Sequence, residues 1–237
     1  VVLGLAGVAG AWSLVRPGGW LVEHVVFEGA HEANEASLRH LADVRNGATW
    51  WDVDVSAVEH GVERHPWVRD AHVHRVWPDT IAVEVTEHRP AALLHDGGRL
   101  VLVSDAGVPF LSVSAGSVPL DLPHLTGFDA ALGELHPDLP VLAVRNALWL
   151  VDALDARGLV TRGRIDEVSF SRASGWVVEA GPAQIAFGLS ELPRQLDRLA
   201  RLVAGGVSLD TRTSIDLAPP TVAIVRPLAP AVAIGGS

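Results

Sequence analysis

His65-Pro66-Trp67-Val68, Ala71-His72-Val73-His74-Arg75-Val76, Trp77-Pro78-Asp79-Thr80 and Ile81-Ala82-Val83-Glu84-Val85-Thr86-Glu87-His88-Arg89-Pro90 make up the stretch on which the fold turns. Pro66 ends any helix before it, because its ring clashes with the preceding turn and it has no amide hydrogen. A strand therefore starts near Val68. Pro78-Asp79 supplies a fixed φ and a side chain that bonds back to the backbone, so the chain turns there and returns. Ile81, Val83 and Val85 alternate with Ala82, Glu84 and Thr86 at the period of a sheet with one wet face. The stretch reads as a helix stop followed by a tight hairpin.

Working upstream, Leu21 to Phe27 alternates as a strand that Gly29 closes. Asn34 is placed to cap a helix carrying Leu38, Leu41 and Val44, with Gly47 past its end. Asp54 caps a second helix with Val55, Val58 and Val62 on one face, which Pro66 terminates. The predicted order is strand, helix, helix, strand, strand. The string Pro66-Trp67-Val68, then Ala71-x-Val73-x-Arg75, then Trp77-Pro78-x-Thr80 and Glu87-x-x-Pro90 resembles the POTRA domain of the FtsQ/DivIB family of bacterial division proteins. POTRA domains share the βααββ order, so periodicity and resemblance agree.

Composition narrows the chemistry. The formal net charge of −10 would repel a phosphate backbone and disfavours nucleic acid as a partner. All basic residues are Arg, and Lys, Tyr, Cys and Met are absent. That removes a thiolate nucleophile, a Schiff-base or phosphate-loop lysine and a cysteine zinc site. At 237 residues and 49% apolar content, each half is long enough to bury a core.

Val1 to Val15 carries no charge and stops at Arg16-Pro17. As a helix it would span roughly 22 Å, short of a ~30 Å hydrocarbon core. The expectation is a transmembrane anchor over 1–19, truncated on its N-terminal side, with Trp12 and Trp20 near the outer interface. A signal peptide ending near Ala9-Gly10-Ala11 is the alternative, and a buried helix is disfavoured by Gly4, Gly7 and Gly10. Both leading readings place the remainder outside the cytoplasm.

After Pro90 the texture changes to short strands with glycine turns: Ala91 to His95, Arg99 to Val103 and Val108 to Leu111. Leu122-Pro123-His124-Leu125-Thr126-Gly127 follows. Asp138 is a candidate cap for a helix entered through Pro140, with Val144, Leu148, Val151 and Leu154 buried and Gly158 at its end. Ile165 to Phe170, Trp176 to Ala180 and Ala183 to Phe187 read as three strands. Ser190 is read as the cap of a last helix with Leu192, Leu196, Leu199 and Leu202. Ile215 to Leu217 and Val222 to Val225 close the chain as strands, stopped by Pro227. This half resembles the β domain of FtsQ, with Asp105, Gly107, Phe110 and the Leu-Pro-x-Leu-x-Gly segment carrying the likeness. The expected fold is therefore α+β: anchor 1–19, POTRA domain 20–90, a mostly antiparallel β domain with two helices over 91–227, and a short tail 228–237.

Candidate chemical sites are thin. His31-Glu32-Ala33-Asn34-Glu35 lacks the second histidine of a helical zinc motif, and His72 and His74 share a strand face without a third ligand in register. No Gly-x-Ser-x-Gly elbow occurs, and Glu84/Glu87 and Asp152/Asp155 fit the wet faces or ends of elements. No catalytic residue, cofactor or metal is expected. The resemblance implies a single-pass inner-membrane scaffold at the division septum, whose bulk is extracytoplasmic. It further implies that the final strands, Ile215, Asp216, Leu217 and Thr221, Val222, Ala223, Ile224, Val225, Arg226, receive the small coiled-coil protein FtsB, with FtsL joining through it, as an added strand. The family places an Arg and an aromatic after the Asp-Leu pair, where this chain has Ala218-Pro219-Pro220. Two other readings stay open: a POTRA-bearing chaperone of envelope assembly, and a periplasmic hydrolase with a deep polar pocket.

Overall fold

The hairpin forms where the prolines place it. The computed structural model describes residues 21–45, 47–114, 121–128 and 139–228, and the chain divides into two compact units between His88 and Arg89. The first unit runs β1 (His24–Glu28), α1 (Glu35–Ala42), α2 (Val55–Val62), β2 (Val68–Val76) and β3 (Thr80–Glu87). Its three strands lie in the order β1-β3-β2, with β1 parallel and β2 antiparallel to β3. This is the βααββ order expected for a POTRA domain.

Each boundary has a local cause. Asn34 accepts the Ala36 amide at 2.8 Å and Asp54 accepts that of Ala57 at 3.2 Å, so both predicted caps are made. Helix α1 stops at Ala42, earlier than Gly47 suggested, because Asp43 turns into the left-handed region at φ 46°. Its buried positions are Leu38 and Ala42, while Val44 packs from beyond the helix end. Ile81, Val83 and Val85 are buried with Leu38, Val58, Val62 and Val73 in one core.

Several letters of the hairpin motif are ties. Arg75 follows Ala71 and Val73 on the core face at the sheet period, and its guanidinium donates to Trp50 O at 3.0 Å and Val53 O at 2.7 Å. Trp67 packs against the core, and its carbonyl accepts the His88 amide at 2.8 Å. Glu87 turns its carboxylate onto the loop that leads into α1, accepting the amides of His31 (2.9 Å), Glu32 (3.0 Å) and Ala33 (2.8 Å). Burial alone would raise the Glu87 carboxyl, but those three amides and nearby His31 outweigh it and hold it below the usual carboxylate value. A depressed folded value means stability that is present above the ordinary pKa of about 4.3 and is lost as pH falls through the folded one. Glu87→Gln is therefore expected to lower Tm at neutral pH, with the gap to the parent closing on acidification. Thermal melts of both proteins as a function of pH read this, and a gap that is constant down to strongly acid pH would refute it.

In the second unit come β4 (Pro90–Asp96), β5 (Arg99–Ser104), β6 (Pro109–Val113), β7 (His124–Thr126), α3 (Leu139–Ala156), β8 (Ile165–Ser171), β9 (Gly175–Ala180), β10 (Ala183–Phe187), α4 (Leu192–Ala204), β11 (Thr213–Asp216) and β12 (Ile224–Pro227). They form a nine-stranded sheet in the order β12-β11-β10-β9-β8-β7-β4-β5-β6. Most pairs are antiparallel, but β7 is parallel to both β4 and β8, and β10 is parallel to β11. The three residues of β7 thus join two meanders into one sheet.

One row of this sheet, Leu94, Leu125, Val168, Val178, Ile185 and Ile215, lies in register and faces the core with Leu148, Val151, Leu154, Leu196 and Leu199 of the helices. The stripe of α3 is broader than predicted, since Ala143, Ala147 and Leu150 are buried as well. Ser190 does not cap α4. The chain passes through Glu191 at φ 59° without a side-chain cap, and Gln195 instead accepts the Gly188 amide at 2.8 Å and donates to Ser190 O at 2.6 Å. A side chain inside the helix has taken over the work of its entrance. The predicted anchor, the Asp138 cap and most of the tail lie outside the described residues. Among those described, no helix is long and apolar enough to cross a membrane.

Candidate partner-binding edge

Strand β12 stands at one end of the nine-stranded order, with β11 as its ladder partner. Its register pairs Thr213 with Pro227, Ser214 with Arg226, Ile215 with Val225 and Asp216 with Ile224. The Leu228 amide donates to Arg212 O at 2.8 Å, which sets the direction of every peptide group before it. Because successive groups alternate, Arg226 and Ile224 bond towards β11, while Val225 and Pro227 turn theirs outward. The outward set is the Val225 N–H, the Val225 C=O and the Pro227 C=O. Pro227 costs the ladder nothing, since its missing donor falls on the outer side.

The predicted strand Thr221 to Arg226 is shorter than expected, because the ladder begins at Ile224 and leaves Thr221, Val222 and Ala223 in the connection. The reason is Arg198 of α4. Its guanidinium donates to Leu217 O at 3.1 Å, to Pro219 O at 2.7 Å and to Val222 O, which curls the Leu217–Val222 segment around one side chain. Asp216 adds an Asx turn by accepting the Ala218 amide at 2.9 Å. Ala218-Pro219-Pro220, where the family pattern is broken, is this clamped turn. Pro219 and Pro220 have no amide to orphan there.

Ile215, Asp216 and Leu217 are not marginal either. Strand β11 is paired on both flanks, and the Leu217 amide is spent on Ala186 O at 2.8 Å. Ile215 and Leu217 are fully buried. Of the nine residues predicted, Val225 presents backbone groups and Arg226 an exposed side chain, while the rest build the support. Val225 shares the core face with Ile215 yet stays 42% exposed, so the apolar face of the sheet continues to its rim uncovered. Between α4 and the Leu217–Pro220 turn runs an open groove of about 370 Å³, lined by Ser190, Arg194, Gln195, Arg201 and Pro220 among others. Only these shapes, and no directional signal in the sequence, distinguish Val225 from its neighbours; the Arg198 clamp left no sequence signature beyond one basic residue on a helix.

Elsewhere the candidate chemical groups are occupied structurally. His72 lies 3.9 Å from Glu59, which also accepts the Val73 amide at 2.9 Å, and His74 lies 3.8 Å from Glu84. Asp152 meets Arg162, and Asp155 accepts the Arg162 amide at 3.2 Å. A pair not singled out in the sequence is His95 and His124, whose Nε2 and Nδ1 lie within hydrogen-bond distance at 2.7 Å across β4 and β7. Among the described residues no group of three or more His, Asp or Glu side chains is disposed to hold a metal ion.

The six residues of the hairpin motif are distributed differently. Pro66 separates α2 from β2, Val68 is buried, Arg75 ties a loop, and Trp77-Pro78, joined by a cis peptide, forms the turn with Trp77 63% exposed.

Residues 21–88 match the model of the POTRA domain, FtsQ-type. Over 191 residues the chain is 32% identical to the cell division protein FtsQ of Myxococcus fulvus, covering 81% of this chain and 66% of that one. It is 34% identical over 216 residues to FtsQ of Anaeromyxobacter sp. (strain K), covering 86% and 70%, and 31% identical over 195 residues to FtsQ of Streptomyces coelicolor, covering 78% and 73%. The chain thus spans about two thirds to three quarters of the length of these relatives. With a POTRA domain of the matching type, a β-rich second unit and similarity that runs through both, the chain belongs to the FtsQ family of cell division proteins.

Proposed function

We propose that this chain is a non-enzymatic scaffold of the division machinery, held at the cytoplasmic membrane by residues 1–19 with its two units outside the cytoplasm. It recruits FtsB- and FtsL-type coiled-coil proteins to the septum by taking an extended segment of the former onto β12. The observation that supports this most is the outward-turned backbone of Val225 beside a half-exposed apolar rim. A guest strand completes those bonds and lays an apolar side chain against Val225. Arg226, exposed at the same margin, favours a guest with an acidic residue.

The test is Val225→Pro. Proline at this position deletes the outward donor and leaves the bonds to β11 in place, so the fold is kept while the edge is blunted. Losing one ladder bond costs roughly 1–2 kcal/mol, so guest affinity is expected to fall about 5- to 30-fold, with Tm little changed. Titration with purified FtsB measures it. Unchanged affinity in a folded variant would remove β12 as the interface.

A further inference from the structure

One end of the first unit gathers exposed apolar surface that the partner-binding reading does not use. Strand β1 begins beside the turn between β2 and β3, because His24 is in register with Thr80 and the Glu23 amide donates to Asp79 O at 2.9 Å. The chain just before it is tied to the loop ahead of α2: Leu21 bridges Thr49, and the Val22 amide donates to Ala48 O at 3.0 Å. Arg75 holds that loop through Trp50 O, and Trp50 Nε1 donates to Thr80 O at 3.3 Å. These ties bring Leu21, Trp51, Val76 and Trp77 to the same end, where they are 44%, 69%, 42% and 63% exposed. Trp51 is braced there by the Trp50 ring, edge to face at 4.7 Å.

Two large exposed indoles, with Glu23, Asp52 and Asp79 at the same end of the unit, suit a boundary that is apolar on one side and wet on the other. The sequence says which boundary. Leu21 is six residues beyond Val15, the last of the uncharged run, and six residues reach at most about 21 Å. The end carrying Trp51 and Trp77 is therefore tethered within reach of the headgroup layer that the run would leave. We propose that this end of the POTRA unit docks on the surface of the bilayer, with Trp51 and Trp77 inserted at headgroup level and Leu21 and Val76 beneath them. The proposal rests on residues 1–19 being the anchor. The local carboxylates repel anionic headgroups, so the contact is one of aromatic insertion and not of charge attraction: it is strongest on zwitterionic lipid, and on anionic lipid it strengthens as salt screens the repulsion.

The chain has no cysteine, so one introduced thiol reports alone. The full chain carrying Val76→Cys, or Glu32→Cys at the opposite end beside Glu87, is labelled with a polarity-sensitive fluorophore and reconstituted into phosphatidylcholine vesicles with and without phosphatidylglycerol. Flotation of the protein with the vesicles reads the anchor. Lipids brominated near the headgroup are expected to quench about half of the emission at position 76 and little at position 32. Adding Trp51→Ser and Trp77→Ser is expected to abolish the quenching while flotation persists. Flotation without quenching at position 76 overturns docking, leaves the anchor standing and hands this face to a protein partner. Quenching that survives the double substitution overturns the role of the indoles, and failure to float overturns anchor and docking together.

Discussion

Gly127→Ala is expected to destabilise the second unit by about 3 kcal/mol, a large loss for one methyl group. Gly127 has a φ of +80°, where a side chain costs roughly 1–2 kcal/mol by itself. A Cβ there would also stand 2.0 Å from Phe170 O and 3.2 Å from Phe170 N. Backbone cannot rotate aside, so β7 and β8 would have to part. Strand β7 has three residues and is the join between the two meanders, so the parting opens the middle of the sheet. Gly158 makes the control, since its φ of +65° carries the same conformational cost with nothing within 4 Å of a Cβ. Urea unfolding of both variants should separate them by more than 1 kcal/mol, on the order of the clash alone. Equal losses would show that the close approach to Phe170 carries no weight.

Arg198→Ala is the second large effect, and with β12 as the proposed interface it falls on guest binding before it falls on the fold. One guanidinium serves three carbonyls of the Leu217–Val222 turn, and hydrogen bonds to a charged donor are worth about 1.5–3 kcal/mol each before discounting for partial exposure. Without it the turn is held by the Asp216 Asx bond and by two prolines, and β12 loses the anchor at its start. A guest that needs β12 ordered would then pay for the ordering itself, which at about 2.7 kcal/mol is a 100-fold weaker complex. Amide exchange at Ile224 and Arg226, whose N–H groups bond towards β11, measured alongside FtsB affinity, should rise as affinity falls. Arg198→Lys should lie between, because an ammonium is a point donor and cannot span three carbonyls in a fixed fork. Binding at parental strength in the alanine variant would show that the turn holds itself.

The first unit was legible from sequence because its boundaries are written in single residues. Asn34, Asp54, Pro66 and Pro78 act on their own backbone or on a neighbour a few positions away, so their effect needs no knowledge of the rest of the chain. What Glu87 and Arg75 do was not legible, although their letters were, since each reaches back to a segment more than twenty residues earlier. In the second unit every strand but β7 could be placed, and their order could not. The parallel insertion of β7 between β4 and β8 depends on pairings 31 and 43 residues apart along the chain, and three residues are too few to show a period. The extent of the last strand was missed for a related reason. Periodicity marks Val222 to Val225 as one strand, but the Arg198 contacts, made from a helix, take the first part of it into a turn.

Pro227 sits where the next outward amide of the margin would be. Two copies meeting rim to rim would each bring a solitary donor, from Val225, to a ladder that requires alternation, so fibre-like growth through this rim starves after one exchange. A visiting chain with its own full complement of amides is under no such shortage: it can feed the carbonyls of both Val225 and Pro227. The proline thereby biases the rim towards strangers and away from its own kind.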